Sequence, residues 1–204
     1  MADYVNQLLH AHSLVSDQVS KQQVEVILRE LTAVLERGPE GAVVEFGCYV
    51  GTTSVFISRL LATLDPSREF HVYDSFAGLP PKSAQDASRA GEQFVAGALA
   101  VSKKQFIQTF QKSHLPLPVI HKGWFNELSP ADVPSSIAFA FLDGDFYSSI
   151  HDSLQLVRPR MQQGGVIIVD DYAREALPGA AKAVQEYFST DTIRVVHNLG
   201  VIHL

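Results

Sequence analysis

Apolar residues in the first part of the chain recur with the spacing of a helix. Between residues 15 and 38 they stand three and four positions apart, and Gly38-Pro39 follows them. The apolar set consists of Val24, Ile27, Leu28, Leu31, Val34 and Leu35. This spacing places them on one helix face, and a glycine-proline pair is typical of a helix end. Residues 1–40 are therefore predicted to form N-terminal helices.

Downstream, short apolar runs alternate with helical patterns. The runs "GAVVEFGC", "REFHVYDS", "LPVIHKG", "SIAFAFLDGD" and "GGVIIVDDY" predict five strands, and the first, which is bounded by glycines, is predicted to be buried. The stretches between them, "GTTSVFISRLLATL", "VSKKQFIQTFQKSH", "YSSIHDSLQLVRPRM" and "GAAKAVQEYF", predict helices, with Ser102 as a cap. The tail "TIRVVHNLGVIHL" predicts a strand pair that turns at Asn198-Leu199-Gly200.

This order of elements predicts an α/β fold. The sheet should be mainly parallel, have helices on both faces and end in an antiparallel hairpin. Ligands of such sheets bind outside the carboxyl ends of the strands. Residues 76–100 are rich in Gly, Pro, Ser and Ala without a clear period, which predicts a substrate loop or lid.

Composition narrows the class of protein. The chain has 204 residues, 46% of them hydrophobic, which suits a single globular domain over residues 1–204. A net charge of −6 argues against a nucleic-acid binder. The single cysteine gives no sign of an oxidising compartment. We see no signal peptide or membrane span in the sequence, so we expect a cytoplasmic protein without a membrane partner.

Polar residues follow the first three predicted strands. Glu45 and Gly47 stand at the first strand-to-helix turn, where an acid would repel phosphate and welcome an ammonium group; a plain tight turn is the alternative. Asp74 could accept the hydroxyls of a ribose or simply form a turn. Trp124, after Gly123, could stack on an adenine or belong to the core.

Four acids follow the fourth and fifth strands: Asp143, Asp145, Asp170 and Asp171. Asp143 and Asp145 are two apart, so in an extended chain they point the same way. If the two strands are neighbours, the four carboxylates raise one another's pKa unless a cation neutralises them. Oxygen ligands suit Mg²⁺ or Ca²⁺. Helix capping in contact with water is the alternative for some of these acids.

Five segments together carry a resemblance to a known family: "VVEFGCYVGTTS", "VYDSFAGLP", "HKGWFNELSP", "FLDGDFYSS" and "GGVIIVDDY". In this order and spacing the chain resembles the macrocin O-methyltransferases from about Ala42 to its end. These enzymes use S-adenosylmethionine and a metal ion to methylate sugar hydroxyls in antibiotic biosynthesis. The resemblance implies a Rossmann-like class I methyltransferase fold with a seven-stranded sheet.

The resemblance also implies roles for individual residues. The cofactor would contact the strand-end positions Glu45, Gly47, Tyr49, Asp74, Ser75, Gly123 and Trp124. Asp143, Asp170 and Asp171 would ligate Mg²⁺, and Asp143 and Asp145 would be the catalytic pair, with Asp145 as the candidate general base. The metal would lower the pKa of the acceptor hydroxyl.

Two departures from the family pattern leave the substrate open. The segment before the first strand is short, and Phe94-Val95-Ala96-Gly97-Ala98 stands where some sugar-modifying members carry a histidine base. We therefore expect an O-methyltransferase for a hydroxyl of a sugar or another natural product. The alternative is a degenerate S-adenosylmethionine-binding module that regulates a partner. A homodimer is one expectation, and a nicotinamide-dependent enzyme is disfavoured by the glycine spacing.

Overall fold

A computed structural model describes residues 3–204 and contains six α-helices and seven strands within them. The helices are α1 (Tyr4–Ala11), α2 (Lys21–Arg37), α3 (Thr52–Leu64), α4 (Lys103–Lys112), α5 (Tyr147–Val157) and α6 (Pro178–Gln185). The strands are β1 (Ala42–Phe46), β2 (Phe70–Asp74), β3 (Val119–Lys122), β4 (Ile137–Leu142), β5 (Met161–Val169), β6 (Ile193–Val196) and β7 (Leu199–His203). In residues 3–204, no helix combines the length and the apolar character needed to cross a bilayer.

The strands form one seven-stranded sheet in the order β3-β2-β1-β4-β5-β7-β6. The first five strands pair in parallel, and β7 runs antiparallel to both β5 and β6. The predicted α/β class, the mainly parallel sheet and the closing antiparallel hairpin are all confirmed. Strand order reverses beside β1, so the ends of β1 and β4 border the crevice where such sheets bind ligands.

Alternate residues of the central strands face two separate cores. On one face Val43, Phe139 and Phe141 pack with α1 to α4, and on the other Val44 and Phe46 pack with α5 and α6. Because successive strand side chains point to opposite faces, a sheet covered on both sides reads as a continuous apolar run. The helices therefore lie on both faces, as the sequence predicts.

Helix α2 begins and ends at the residues that its sequence indicates. The Ser20 hydroxyl accepts a hydrogen bond from the Gln23 N–H, and the Gln23 side chain accepts from the Ser20 N–H, which together form a capping box. Gly38 closes the helix with a φ of 80°, a conformation that glycine adopts at little cost. Ser102 caps α4 in the same way, as predicted.

The hairpin turn lies one position earlier than the sequence suggested. His197 and Asn198 carry the two positive φ angles of the turn, 49° and 68°, as a two-residue hairpin with a type I′ turn requires. Leu199 and Gly200 belong to β7 instead. The prediction placed the turn at the glycine, but asparagine and histidine tolerate the left-handed region well enough to form it.

The segment 76–100 contains only two short 3-10 turns, Ala84–Asp86 and Arg89–Gly91. It is nevertheless fastened to α6 and to the loop before it. The Lys182 ammonium donates to the Gln85 carbonyl at 2.6 Å, and the Ser88 hydroxyl donates to the Glu175 carbonyl at 2.8 Å. The predicted absence of long elements is confirmed, and a role as a substrate loop or lid stays a prediction.

Candidate active site

A cavity of about 350 Å³ opens at the carboxyl ends of β1, β2, β4 and β5. It is lined by the turns after β1 and β2, by Trp124 and by the four strand-end acids. Segment 76–100 forms an apolar wall with Leu79, Pro80, Pro81, Phe94 and Leu99. The structure thus brings most of the polar residues singled out in the sequence into one cavity.

Asp74 organises the turns after β1 and β2 at the cavity. Its Oδ2 accepts hydrogen bonds from the backbone N–H groups of Cys48 and Tyr49, at 2.9 and 3.1 Å, and its Oδ1 accepts from the Phe76 N–H at 2.7 Å. The turn-forming alternative for Asp74 is therefore observed. Its carboxylate also lines the cavity, so a contact with a ribose stays a prediction.

Gly47 brings the β1 turn against the backbone after β4. Its φ is 90°, and a Cβ at this position would lie 2.0 Å from the Asp143 carbonyl oxygen. Tyr49, with a φ of 46°, continues the turn and lines the cavity. Glycine is needed here for both its left-handed conformation and its lack of a side chain.

Glu45 lies behind this turn, away from the cavity wall. Its side chain is 1% exposed, it accepts a hydrogen bond from the Ser54 hydroxyl of α3, and burial raises its pKa to about 8. Because side chains alternate along β1, Glu45 faces the α3 side of the sheet together with Val43. It is absent from the residues lining the cavity, so a direct contact with the cofactor finds no support in this arrangement.

At the adenine position expected from the sequence, Trp124 lines the cavity while Gly123 does not. The Trp124 N–H donates to the Glu127 carboxylate at 3.3 Å, which closes a short turn after β3. Phe125 packs edge-on against Phe46 at 5.2 Å between ring centroids. Ser75 also lines the cavity, and its hydroxyl accepts from the Ala77 N–H at 3.1 Å.

The four acids gather because β4 and β5 are neighbours. Asp170 and Asp171 are 6% and 4% exposed, and Asp143 and Asp145 are half-buried at the cavity. Burial, followed by the charges of the other acids, raises the pKa of Asp143 well above its ordinary value and that of Asp145 to about 8. Burial and Asp171 raise the pKa of Asp170 to about 7. The predicted mutual repulsion is thus present.

Several groups partly compensate this negative charge. The Gln23 side chain of α2 donates to Oδ1 of Asp170 at 2.9 Å, and so does the Asp171 N–H. Arg174 donates to both oxygens of Asp171, at 3.0 and 3.3 Å, while its guanidinium lies 5.2 Å from the centre of the Phe94 ring. Among the cavity-lining side chains of residues 3–204, Arg174 is the one cation.

The carboxylates of Asp143, Asp170 and Asp171 are the kind of ligand that a hard cation binds, but they are not arranged around one point. All the candidate ligands are carboxylates with raised pKa values, which favours a cation that would neutralise them. Across the described part of the chain, however, no three His, Cys, Asp or Glu side chains are grouped so that they could hold a metal. Asp171 faces Arg174 instead.

Sequence reasoning missed Gln18, Gln23 and Arg174. Gln18 and Arg174 line the cavity, and Gln23 contacts Asp170. The S-x-x-Q pattern from Ser20 identifies Gln23 as a capping residue, but no local signal connects it with an acid 147 positions away. For Arg174, its position three residues after Asp171 in a strand-end motif is the available signal.

Comparison with known proteins identifies related sequences. The family model for macrocin-O-methyltransferase matches residues 9–200. The chain is 31% identical over 196 residues to the 8-demethyl-8-(2,3-dimethoxy-alpha-L-rhamnosyl)-tetracenomycin-C 4'-O-methyltransferase of Streptomyces olivaceus, covering 93% of this chain and 75% of the relative. It is 28% identical over 186 residues to the demethyldecarbamoylnovobiocin O-methyltransferase of Streptomyces niveus, covering 87% and 68%.

A solved structure gives a consistent comparison. The O-methyltransferase NovP superimposes with a TM-score of 0.78 at 25% sequence identity, covering 91% of this chain and 80% of that structure. The methyltransferase fold expected from the resemblance is therefore confirmed.

Proposed function

Because the chain belongs to the macrocin O-methyltransferase family, we propose that it transfers the methyl group of S-adenosylmethionine to a hydroxyl of a small natural product, with Mg²⁺ bound. The observation that carries the proposal is one cavity lined both by the turns that Asp74 holds and by four carboxylates with raised pKa values.

The cofactor would lie against the turns that Asp74 organises. Gly47, Tyr49, Asp74, Ser75 and Trp124 line the cavity there and would hold the cofactor directly. Glu45 and Gly123 do not line the cavity and would support the same turns from the side away from it. Because Asp74 already accepts three backbone hydrogen bonds, its main contribution is to keep the β1 and β2 turns in register with the ligand.

The acceptor hydroxyl and the metal would lie beside the four acids. Although their carboxylates are not grouped around one point in this structure, Asp143, Asp170 and Asp171 would hold Mg²⁺, which would lower the pKa of the acceptor hydroxyl. Asp145, which lines the cavity beside these acids, would accept the hydroxyl proton as the general base. The acceptor oxygen then forms a bond to the methyl carbon as the carbon–sulfur bond breaks. The walls of the cavity align the two reactants, and this alignment supplies much of the rate.

The acceptor combines a hydroxyl with an apolar surface. The wall that segment 76–100 forms is made of Leu79, Pro80, Phe94 and Leu99. Phe94 occupies its place in this wall without a titratable group, so this position supplies no base. The names of the relatives give a rhamnosyl tetracenomycin and demethyldecarbamoylnovobiocin as their acceptors, which supports a natural product, such as a glycosylated one, as the acceptor here.

Calorimetric titration of S-adenosylhomocysteine, with Mg²⁺ and with EDTA, tests the proposal, followed by turnover on a panel of sugar-bearing and phenolic acceptors. We expect binding of the cofactor product, Mg²⁺ binding that Asp143→Ala abolishes, and turnover that EDTA abolishes. Glu36→Ala is the matched control, because Glu36 is an exposed helix residue. This variant should change neither Mg²⁺ binding nor turnover. Full turnover in excess EDTA would exclude the metal. Cofactor binding without turnover on any acceptor would favour the alternative of a regulatory binding module.

A further inference from the structure

Asp86 is a buried acid outside the carboxylate cluster that connects two parts of the cavity wall. It lies in segment 76–100 and is 1% exposed. Its Oδ2 accepts hydrogen bonds from the Ser83 N–H and hydroxyl, at 2.9 and 2.6 Å. Its Oδ1 accepts from the backbone N–H of Tyr147 at 2.7 Å. Each carboxylate oxygen therefore binds a different segment.

The bond to Tyr147 replaces the cap that α5 lacks. Tyr147 is the first residue of α5, and the N-cap residue Phe146 makes no side-chain capping bond. The first N–H groups of a helix have no partner within the helix, and a carboxylate there also interacts favourably with the helix dipole. Asp86 supplies this cap from a position 61 residues earlier in the chain.

The capped helix end follows directly on the proposed catalytic acids. The Phe146 N–H donates to the Gly144 carbonyl at 2.7 Å, and Asp145 between them has a φ of 62°. This tight, left-handed turn presents Asp145 to the cavity. Since Tyr147 is two residues beyond Asp145, a shift of the first turn of α5 would move Asp145 with it.

Gly179 of α6 closes the space around this contact. A Cβ at Gly179 would lie 1.8 Å from Oδ1 of Asp86 and 2.7 Å from the Tyr147 nitrogen. The absence of a side chain at this position is therefore what leaves room for the carboxylate between α5 and α6. Because Gly179 has no positive φ, the close approach alone accounts for the need for glycine here.

We propose that Asp86 is a positioning residue that couples the apolar acceptor wall to the Asp143–Asp145 turn. The proposal rests on the proposed function for its catalytic consequence, while the coupling itself is a property of the folded chain. When Asp86 is engaged, segment 83–91 and the first turn of α5 are held as one unit. Loss of the contact between Asp86 and Tyr147 would loosen the acceptor wall and Asp145 together. It would leave the turns held by Asp74, where the cofactor is proposed to bind, in place.

Amide hydrogen exchange in the metal-free protein tests the coupling without any acceptor. We expect Asp86→Ala to accelerate exchange at least tenfold in both 83–91 and 143–150. Gly179→Ala, which crowds both the Asp86 carboxylate and the Tyr147 nitrogen, should do the same. Ser102→Ala is the matched control, because it removes a side-chain cap from α4, whose residues do not line the cavity, and it should accelerate exchange at the start of α4 only.

Two further measurements separate positioning from general loss of structure. The affinity for S-adenosylhomocysteine should stay within threefold of wild type in both variants. With an acceptor that the panel identifies, kcat should fall at least tenfold while KM for S-adenosylmethionine is unchanged. Asp86→Asn, which keeps one acceptor oxygen for the Tyr147 N–H, should restore part of kcat.

Specific outcomes would overturn the proposal. Wild-type protection of residues 143–150 in folded Asp86→Ala or Gly179→Ala would show that the two segments are not coupled. Equal acceleration there in Ser102→Ala would show general fraying. If Asp86→Ala does not fold, Gly179→Ala and Asp86→Asn decide the question. A lack of turnover on every acceptor would count against the proposed function and leave the exchange result to stand by itself.

Discussion

The side-chain amide of Gln23 donates a hydrogen bond of 2.9 Å to Oδ1 of Asp170 across 147 residues of chain. The oxygen of the same amide accepts from the N–H and hydroxyl of Ser20, at 2.9 and 2.8 Å. One side chain thus caps α2 and stabilises an acid at the end of β5. The start of α2 is thereby fixed to the carboxylate cluster.

Gln23→Glu should destabilise the protein through this contact. Glutamate at this position preserves the capping box but lacks the N–H donor and places a second carboxylate beside Asp170. We expect a loss of about 1.5–3 kcal/mol, the range for hydrogen bonds to charged groups. The loss should be larger at pH 8 than at pH 5.5, because the pKa of Asp170 is about 7. Thermal unfolding at the two pH values measures it.

Gln22→Glu is the control for this prediction. It adds the same charge to the exposed neighbouring position. Equal losses in the two variants would mean that net charge, and not the contact with Asp170, determines the effect.

The metal-free protein should lose stability as pH rises. Burial raises the pKa of Glu45 and Asp145 to about 8 and that of Asp170 to about 7, whereas in an unfolded chain they lie near ~4. Between the unfolded and the native pKa values, the native state binds more protons than the unfolded state. The free energy of unfolding therefore falls as the pH rises through this range. We expect Tm in EDTA to drop by roughly 5 °C or more from pH 5 to pH 8.5, given ~2–4 °C per kcal/mol.

Glu45→Gln should flatten this pH dependence. Glutamine can still accept from the Ser54 hydroxyl, and it carries no charge to bury. The variant should therefore equal or exceed wild type in Tm at pH 8.5. A variant that is less stable than wild type at pH 8.5 and unchanged in slope would contradict the assignment of a raised pKa to Glu45.

Gly47→Ala should be far more damaging than Gly97→Ala. Both glycines have positive φ angles, 90° and 80°, but a Cβ at Gly47 would lie 2.0 Å from the Asp143 carbonyl oxygen, whereas a Cβ at Gly97 meets nothing within 4 Å. The shared conformational strain costs about 1–2 kcal/mol. The additional clash should make Gly47→Ala insoluble or shift its Tm well below that of Gly97→Ala. Similar Tm values would show that the β1 turn can move away from Asp143.

Asp74→Asn should weaken cofactor binding. The amide group can accept with one oxygen only, so it cannot serve the turns after β1 and β2 at once. With hydrogen bonds to a charged group each contributing about 1.5–3 kcal/mol, we expect S-adenosylhomocysteine affinity to fall at least tenfold by calorimetry. Glu36→Gln is the control at an exposed site, and wild-type affinity in Asp74→Asn would exclude a role for this charge.

Arg174→Gln should increase the affinity for Mg²⁺. The guanidinium binds the Asp171 carboxylate that we assign to the metal, so the two cations compete. The Arg174 side chain is 43% exposed, and exposed ion pairs contribute up to about 1 kcal/mol, which corresponds to a gain of up to about fivefold. Arg174→Lys retains the charge and should change less. Weaker Mg²⁺ binding in Arg174→Gln would argue against competition.

The sequence by itself determined the elements and the polar positions at their ends. Helical spacing, apolar runs and local caps such as Ser20 and Ser102 depend on side chains within a few residues of one another, and they predicted the α/β class and the strand-end location of Asp74 and the four acids. The one-residue error in the hairpin turn has the same local origin, because Gly200 is the more obvious turn residue.

Only the tertiary structure decided which distant groups meet. The neighbouring positions of β4 and β5 bring the four acids together, and the packing of α2 and of segment 76–100 sets Gln23 against Asp170 and Asp86 against Tyr147. The burial of Glu45 follows from which face of β1 the helix α3 covers. These contacts depend on strand order and helix packing, which are properties of the whole chain, so no short stretch of sequence encodes them.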